Sequence, residues 1–137
     1  MDYRLETAKL TEEQFDERDS IMDAFVPERY KAYGWSGGVK PYQGLDLKTL
    51  KMLVEKGYAS SNERQNAAPS IKGFMEIMER NPDLKAHGYF VERTRDDARI
   101  SVEGVEGKCA PEDARKFKRA DDYTYSSKTG ELYCWYD

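Results

Sequence analysis

Between Leu45 and Val105 the apolar residues change period, and that change constrains the fold more than any other feature of the chain. Leu47, Leu50, Leu53 and Val54, then Ile71, Phe74, Met75 and Met78, recur at helical spacing. His87–Glu92 and Ala98–Gly104 alternate apolar and polar residues about the charged turn Arg93-Thr94-Arg95-Asp96-Asp97. Tyr89/Val91 and Ile100/Val102 are the expected inward pairs. Helical and strand stripes in one segment need a shared core. The pattern therefore predicts an α+β domain: an antiparallel sheet built from two hairpins, packed on one face by about four helices.

The flanking sequence supplies the remaining elements. Tyr3, Leu5 and Thr7 alternate over residues 2–7, as in a short edge strand. Thr11-Glu12-Glu13-Gln14 is a capping box with Leu10 and Phe15 as its staple, and it opens a sparsely apolar surface helix ending near Pro27. Residues 30–44 interleave Tyr30, Tyr33, Trp35 and Tyr42 with Gly34, Gly37, Gly38 and Gly44, which reads as an irregular loop. Asp46 caps the second helix and Gly57 terminates it; the third starts near Pro69 and stops at Asn81-Pro82. Pro111 opens a fourth, carrying Arg115, Lys116, Lys118 and Arg119 toward its end. A second hairpin joins Tyr123–Tyr125 to Leu132–Tyr136.

A length of 137 residues without a linker-like stretch suits one domain, 1–137. Charged residues make up 35% and apolar ones 39%, while 12% aromatics spread along the chain argue against disorder. The net charge of −4 is unevenly placed: residues 1–30 hold nine acids against four bases, and 31–60 hold five lysines against two acids. Such a dipole suits self-association or two partners, though ordinary surfaces also carry it. No window approaches a membrane span, and no signal-like segment opens the chain, so a cytoplasmic protein with Cys109 and Cys134 reduced is expected.

No catalytic or metal motif emerges. The order helix–helix–hairpin resembles a winged helix, which implies nucleic-acid binding through Lys72 on the third helix and Arg93, Arg95 and Arg99 on the wing. Glu76, Glu79, Asp96 and Asp97 sit among these cations and weaken the attraction to phosphate. The opening strand and Thr-capped helix are similar to the start of many acyltransferase domains. The Arg-x-x-Gly-x-Gly/Ala segment that would cradle a pyrophosphate is missing. His87, the lone histidine, would need Cys109 or Cys134 brought to it for nucleophilic catalysis. One histidine and two separated cysteines form no metal-ligand set, and no cofactor is implied. The neighbouring acids Asp96/Asp97, Glu112/Asp113 and Asp121/Asp122 read as solvated turns and caps.

The leading expectation is a non-catalytic interaction domain whose ligand is a protein or a small molecule. Tyr33, Trp35 and Tyr42 are its anchors unless those rings pack as a lid on the core. A nucleic-acid binder is the alternative, and an enzyme using His87 with a cysteine the second. The apolar strand Tyr133-Cys134-Trp135-Tyr136 belongs either to the core or to an edge used in homodimerisation.

Overall fold

The computed structural model describes residues 10–31 and 37–137. Over these, α1 spans Glu12–Asp23, β1 Val39–Leu45, α2 Leu47–Glu55, α3 Ile71–Arg80, β2 Lys85–Val91 and β3 Ile100–Lys108. A single turn, α4, covers Pro111–Ala114, followed by β4 (Asp122–Tyr125) and β5 (Glu131–Trp135). The strands form one antiparallel sheet in the order β1-β2-β3-β5-β4. The expected strand at residues 2–7 lies outside the described residues.

Helix ends follow local chemistry. Thr11 Oγ1 accepts from Gln14 N at 3.1 Å while Gln14 Oε1 accepts from Thr11 N at 2.8 Å, completing the capping box of α1. Past α2, Gly57 adopts φ +81°. Its N–H reaches Val54 O at 3.0 Å and Tyr58 N–H reaches Leu53 O at 2.8 Å, the paired bonds of a Schellman ending. Ser70 caps α3 through Gly73 N.

One core cluster unites the helices with a single face of the sheet. Met22, Leu50, Leu53, Phe74, Met78 and Phe117 meet Phe90, Ile100, Val102, Val105, Leu132 and Cys134 there. Phe74 stacks on Phe117 with centroids 5.8 Å apart and meets Tyr136 edge-on at 6.5 Å.

Four local expectations are corrected. Residues 39–45 form the edge strand β1 and not an irregular loop: an edge tolerates Pro41, and Gly44 at φ +71° absorbs a register shift. In the β2–β3 hairpin Phe90 pairs with Ile100 on the helix side, whereas Tyr89 pairs with Ser101 on the other face. On α3 the buried stripe includes Ile77, with Met75 only half-buried. The fourth helix is one α turn tightening into a 3-10 turn at Arg115–Phe117, enough to bury Ala114 and Phe117 three residues apart.

A β-bulge sets the register of the sheet's centre. His87 pairs with Gly104 and Gly88 with Val102, leaving Glu103 as the extra residue of β3. The insertion lets Val102 and Val105, three residues apart, both enter the core.

A candidate binding face on the sheet

In-register partners share a face, so the pairings map what lies opposite the helices. Lys85, Glu106, Tyr133 and Thr124 form one row across β2, β3, β5 and β4. Tyr133, 38% exposed, is the one exposed large hydrophobic side chain among the described residues. Its ring stacks on His87, with centroids 5.1 Å apart and planes 17° from parallel. Beside it lies a shallow groove of about 400 Å³ lined by Gly44, Lys85, Glu106, Gly107, Thr124 and Tyr133 among others.

Further along this face the sheet is covered. Tyr89 donates its hydroxyl to Gln65 Oε1 at 3.0 Å, and Arg99 pairs with Glu63 at 3.0 Å, so the α2–α3 loop reaches over the sheet. Here Ser101 Oγ and Glu103 Oε1 are buried without a hydrogen-bond partner. Glu103 is only 4% exposed. Burial raises its pKa above the ordinary glutamate range, against the indole of Trp135, which favours the carboxylate.

The shift has a defined sign. Folded Glu103 holds its proton to higher pH than unfolded Glu103, so stability falls as pH rises through that window. Glu103→Gln is therefore expected to raise folding stability by about 1 kcal/mol at neutral pH and to leave it unchanged at about pH 3, where the carboxyl is neutral in both states. Urea titrations at the two pH values check this. An equal gain at both would assign the effect to packing.

His87 Nε2 lies 2.8 Å from the carbonyl oxygen of Cys134, and a carbonyl only accepts, so Nε2 carries the proton and donates. Burial pushes the imidazole pKa down and keeps the ring neutral. The contact is to the main chain. The Cys134 side chain joins the core on the opposite face, because successive residues of a strand alternate. Burial lifts its thiol to about 12 and that of Cys109 to about 11, so neither approaches a thiolate at neutral pH. The imidazole–thiol pair expected of a cysteine enzyme is not formed here.

Of the aromatic anchors, Tyr33 and Trp35 lie outside the described residues. Tyr42 is 2% exposed and donates its hydroxyl to Ser101 O at 2.7 Å. It lies opposite Gly88, where no side chain stops the ring from reaching across β2. Tyr42 is thus a core residue and offers no free ring.

The arginines of the supposed wing are already engaged. Arg93 binds Glu12, Asp16 and Asp19 at 2.8, 2.8 and 2.9 Å, and these carboxylates raise its pKa further. Arg95 forks onto Asp97 and reaches Gly37 O; Arg99 meets Asp97, Glu63 and the Tyr89 hydroxyl. Lys72 is exposed on α3. The hairpin they flank is the centre of the sheet and not a projecting wing. β5 likewise lies between β3 and β4, so its apolar run is interior and no dimerising edge.

Among the described residues no group of three or more His, Cys, Asp or Glu could hold a metal ion, and no helix is long and apolar enough to cross a membrane. No family model matches the chain, and neither a curated protein nor a solved structure matches it significantly.

Proposed function

We propose that the chain is a non-catalytic binding module that docks a protein partner on the helix-free face of its sheet, with Tyr133 at the centre. The observation that carries this reading is the Tyr133 ring: exposed, held flat on His87, and bordered by Lys85, Glu106 and Glu131. An aromatic anchor pre-ordered by its neighbour and rimmed by charge is the anatomy of an interaction hot spot. The adjoining groove is more open than enclosed, which favours a polypeptide surface over a buried small molecule. Both thiols sit free in the core, which suits a reducing, cytoplasmic setting.

Affinity capture from the source cells tests the assignment. Tyr133→Ser is expected to fold normally and to lose the captured partner, with affinity reduced about 30-fold or more. Retention of the partner by Tyr133→Ser together with its loss in Trp35→Ala would move the site to the segment around Trp35. Binding only to duplex DNA, and only at low salt, would favour a nucleic-acid role over this one.

A further inference from the structure

We infer that α1 is a displaceable latch, held on the domain by a ring of ion pairs and able to open without unfolding the rest. Most helices dock through a continuous apolar stripe, as α3 does by burying Ile71, Phe74, Ile77 and Met78. In α1 only Arg18 and Met22 are buried.

Beyond Met22 and the partly buried Ile21, which pack on the core, α1 is held by charge from three directions. From the β2–β3 turn, Arg93 takes Glu12, Asp16 and Asp19 at 2.8–2.9 Å. From the end of α2, Lys56 binds Glu17 at 2.7 Å; from β1, Lys40 approaches Asp23 at 3.8 Å. The acids of the helix therefore face cations on three separate elements.

The buried contacts are mixed: Met22 sits in the core, and beside it Arg18 is polar. Arg18 is enclosed between the rings of Phe15 and Phe90, with its guanidinium carbon 4.9 and 5.5 Å from their centroids. It donates to Asp19 on its own helix and, at 3.0 Å, to Val91 O on β2. On opening, a guanidinium regains water and keeps its helical partner, whereas a leucine would expose apolar surface. Release of α1 exposes one fully buried apolar side chain, Met22, where release of α3 would expose four, and it uncovers Phe90, the Val91 carbonyl and Arg93.

Exposed ion pairs are individually weak and screened by salt, so the latch loosens as ionic strength rises while the apolar core does not. Native-state hydrogen exchange at about 0.02 and about 1 M NaCl reads this directly on the unaltered protein. The expected result is a rise of about tenfold in the open population of α1 at high salt, with α3 and β3 amides within about twofold of their low-salt values. Arg93→Ala is expected to reproduce the rise at low salt, and Arg95→Ala, whose partner is the local Asp97, to leave α1 as it was. Amides of α1 that exchange only with those of α3 and β3, at either salt, would make the helix part of the global unit and overturn the inference. So would an α1 indifferent to both salt and Arg93→Ala.

Discussion

Gly104→Ala is expected to abolish stable folding or to cost about 3 kcal/mol or more. A Cβ at Gly104 would lie far inside contact with the Cys134 carbonyl oxygen on β5 and would also meet His87 Nε2. The obstruction is main chain, which cannot swing aside as a flexible side chain would. Gly104 directly follows the bulged Glu103, so three strands are brought close at a point where only hydrogen fits. Gly57→Ala provides the contrast. Gly57 has φ +81° and open space around its Cα, so alanine there costs only backbone strain, about 1 kcal/mol. Thermal denaturation of the two variants separates the cases: similar losses would show that the sheet yields at Gly104 and that the bulge is less rigid than its contacts imply.

The second large effect is Asp113→Ala, expected to cost about 3 kcal/mol at neutral pH, or roughly 10 °C in Tm for a domain of this size. The carboxylate is buried and accepts from Arg80 Nε and Nη2, Asn81 Nδ2 and Lys116 Nζ. Asn81 also binds Ile77 O and receives the Ala110 N–H, so Asp113 fastens the end of α3 to the segment leaving β3. Its removal leaves the Asn81 amide half-satisfied in the interior. The half-exposed Arg80 recovers water, which limits the loss.

Asp113 also sets a pH signature. The Arg80 guanidinium holds its carboxyl far below the usual carboxylate range, with Asn81 and Lys116 adding to the effect against the opposing pull of burial. The folded state therefore binds this proton less readily than the unfolded chain. Its stabilisation is complete above about pH 4 and drains away as pH falls below that. The stability gap between wild type and Asp113→Ala is expected to narrow steadily from about pH 4 downward; a constant gap to about pH 2 would mean the carboxylate contributes by shape alone.

What was legible in the sequence had short-range causes. The capping box at Thr11 and the Gly57 terminator are each written in contiguous residues, because the bonds that make them span three to five positions. Pro41 and Gly44 are breakers in local terms, which hides β1 from any local pattern. Only its place at the sheet edge makes them tolerable, and that place is decided by β2, more than forty residues on. The phase of the β2–β3 hairpin was hidden by burial on both faces, which erases the alternation from which a face is read.

The candidate face was harder still. Tyr133 stood out as part of an apolar strand, but its exposure depends on β5 being interior and on which residues alternate inward. Glu103 gave no warning, since a glutamate between Val102 and Gly104 looks like the solvent side of a hairpin. The following glycine was the available hint of a bulge. Arg93 was visible as a charged turn residue, yet its three partners on α1 lie some eighty positions earlier, beyond any local pattern.

The edge formed by β1 has a consequence for how these molecules meet in a crowded solution. At the strand's start the Gly38 carbonyl accepts from Glu92 N–H, so up to Tyr42 the even positions turn their main-chain groups to β2, and the odd positions 39, 41 and 43 face outward. Of these, Pro41 has no N–H, and Gln43 N is already given to Phe25 O at 3.0 Å. A foreign strand arriving there finds its acceptors largely unanswered. The sheet is therefore a template with one blunt margin, and chain-by-chain polymerisation, which needs two live margins per molecule, is interrupted at every copy.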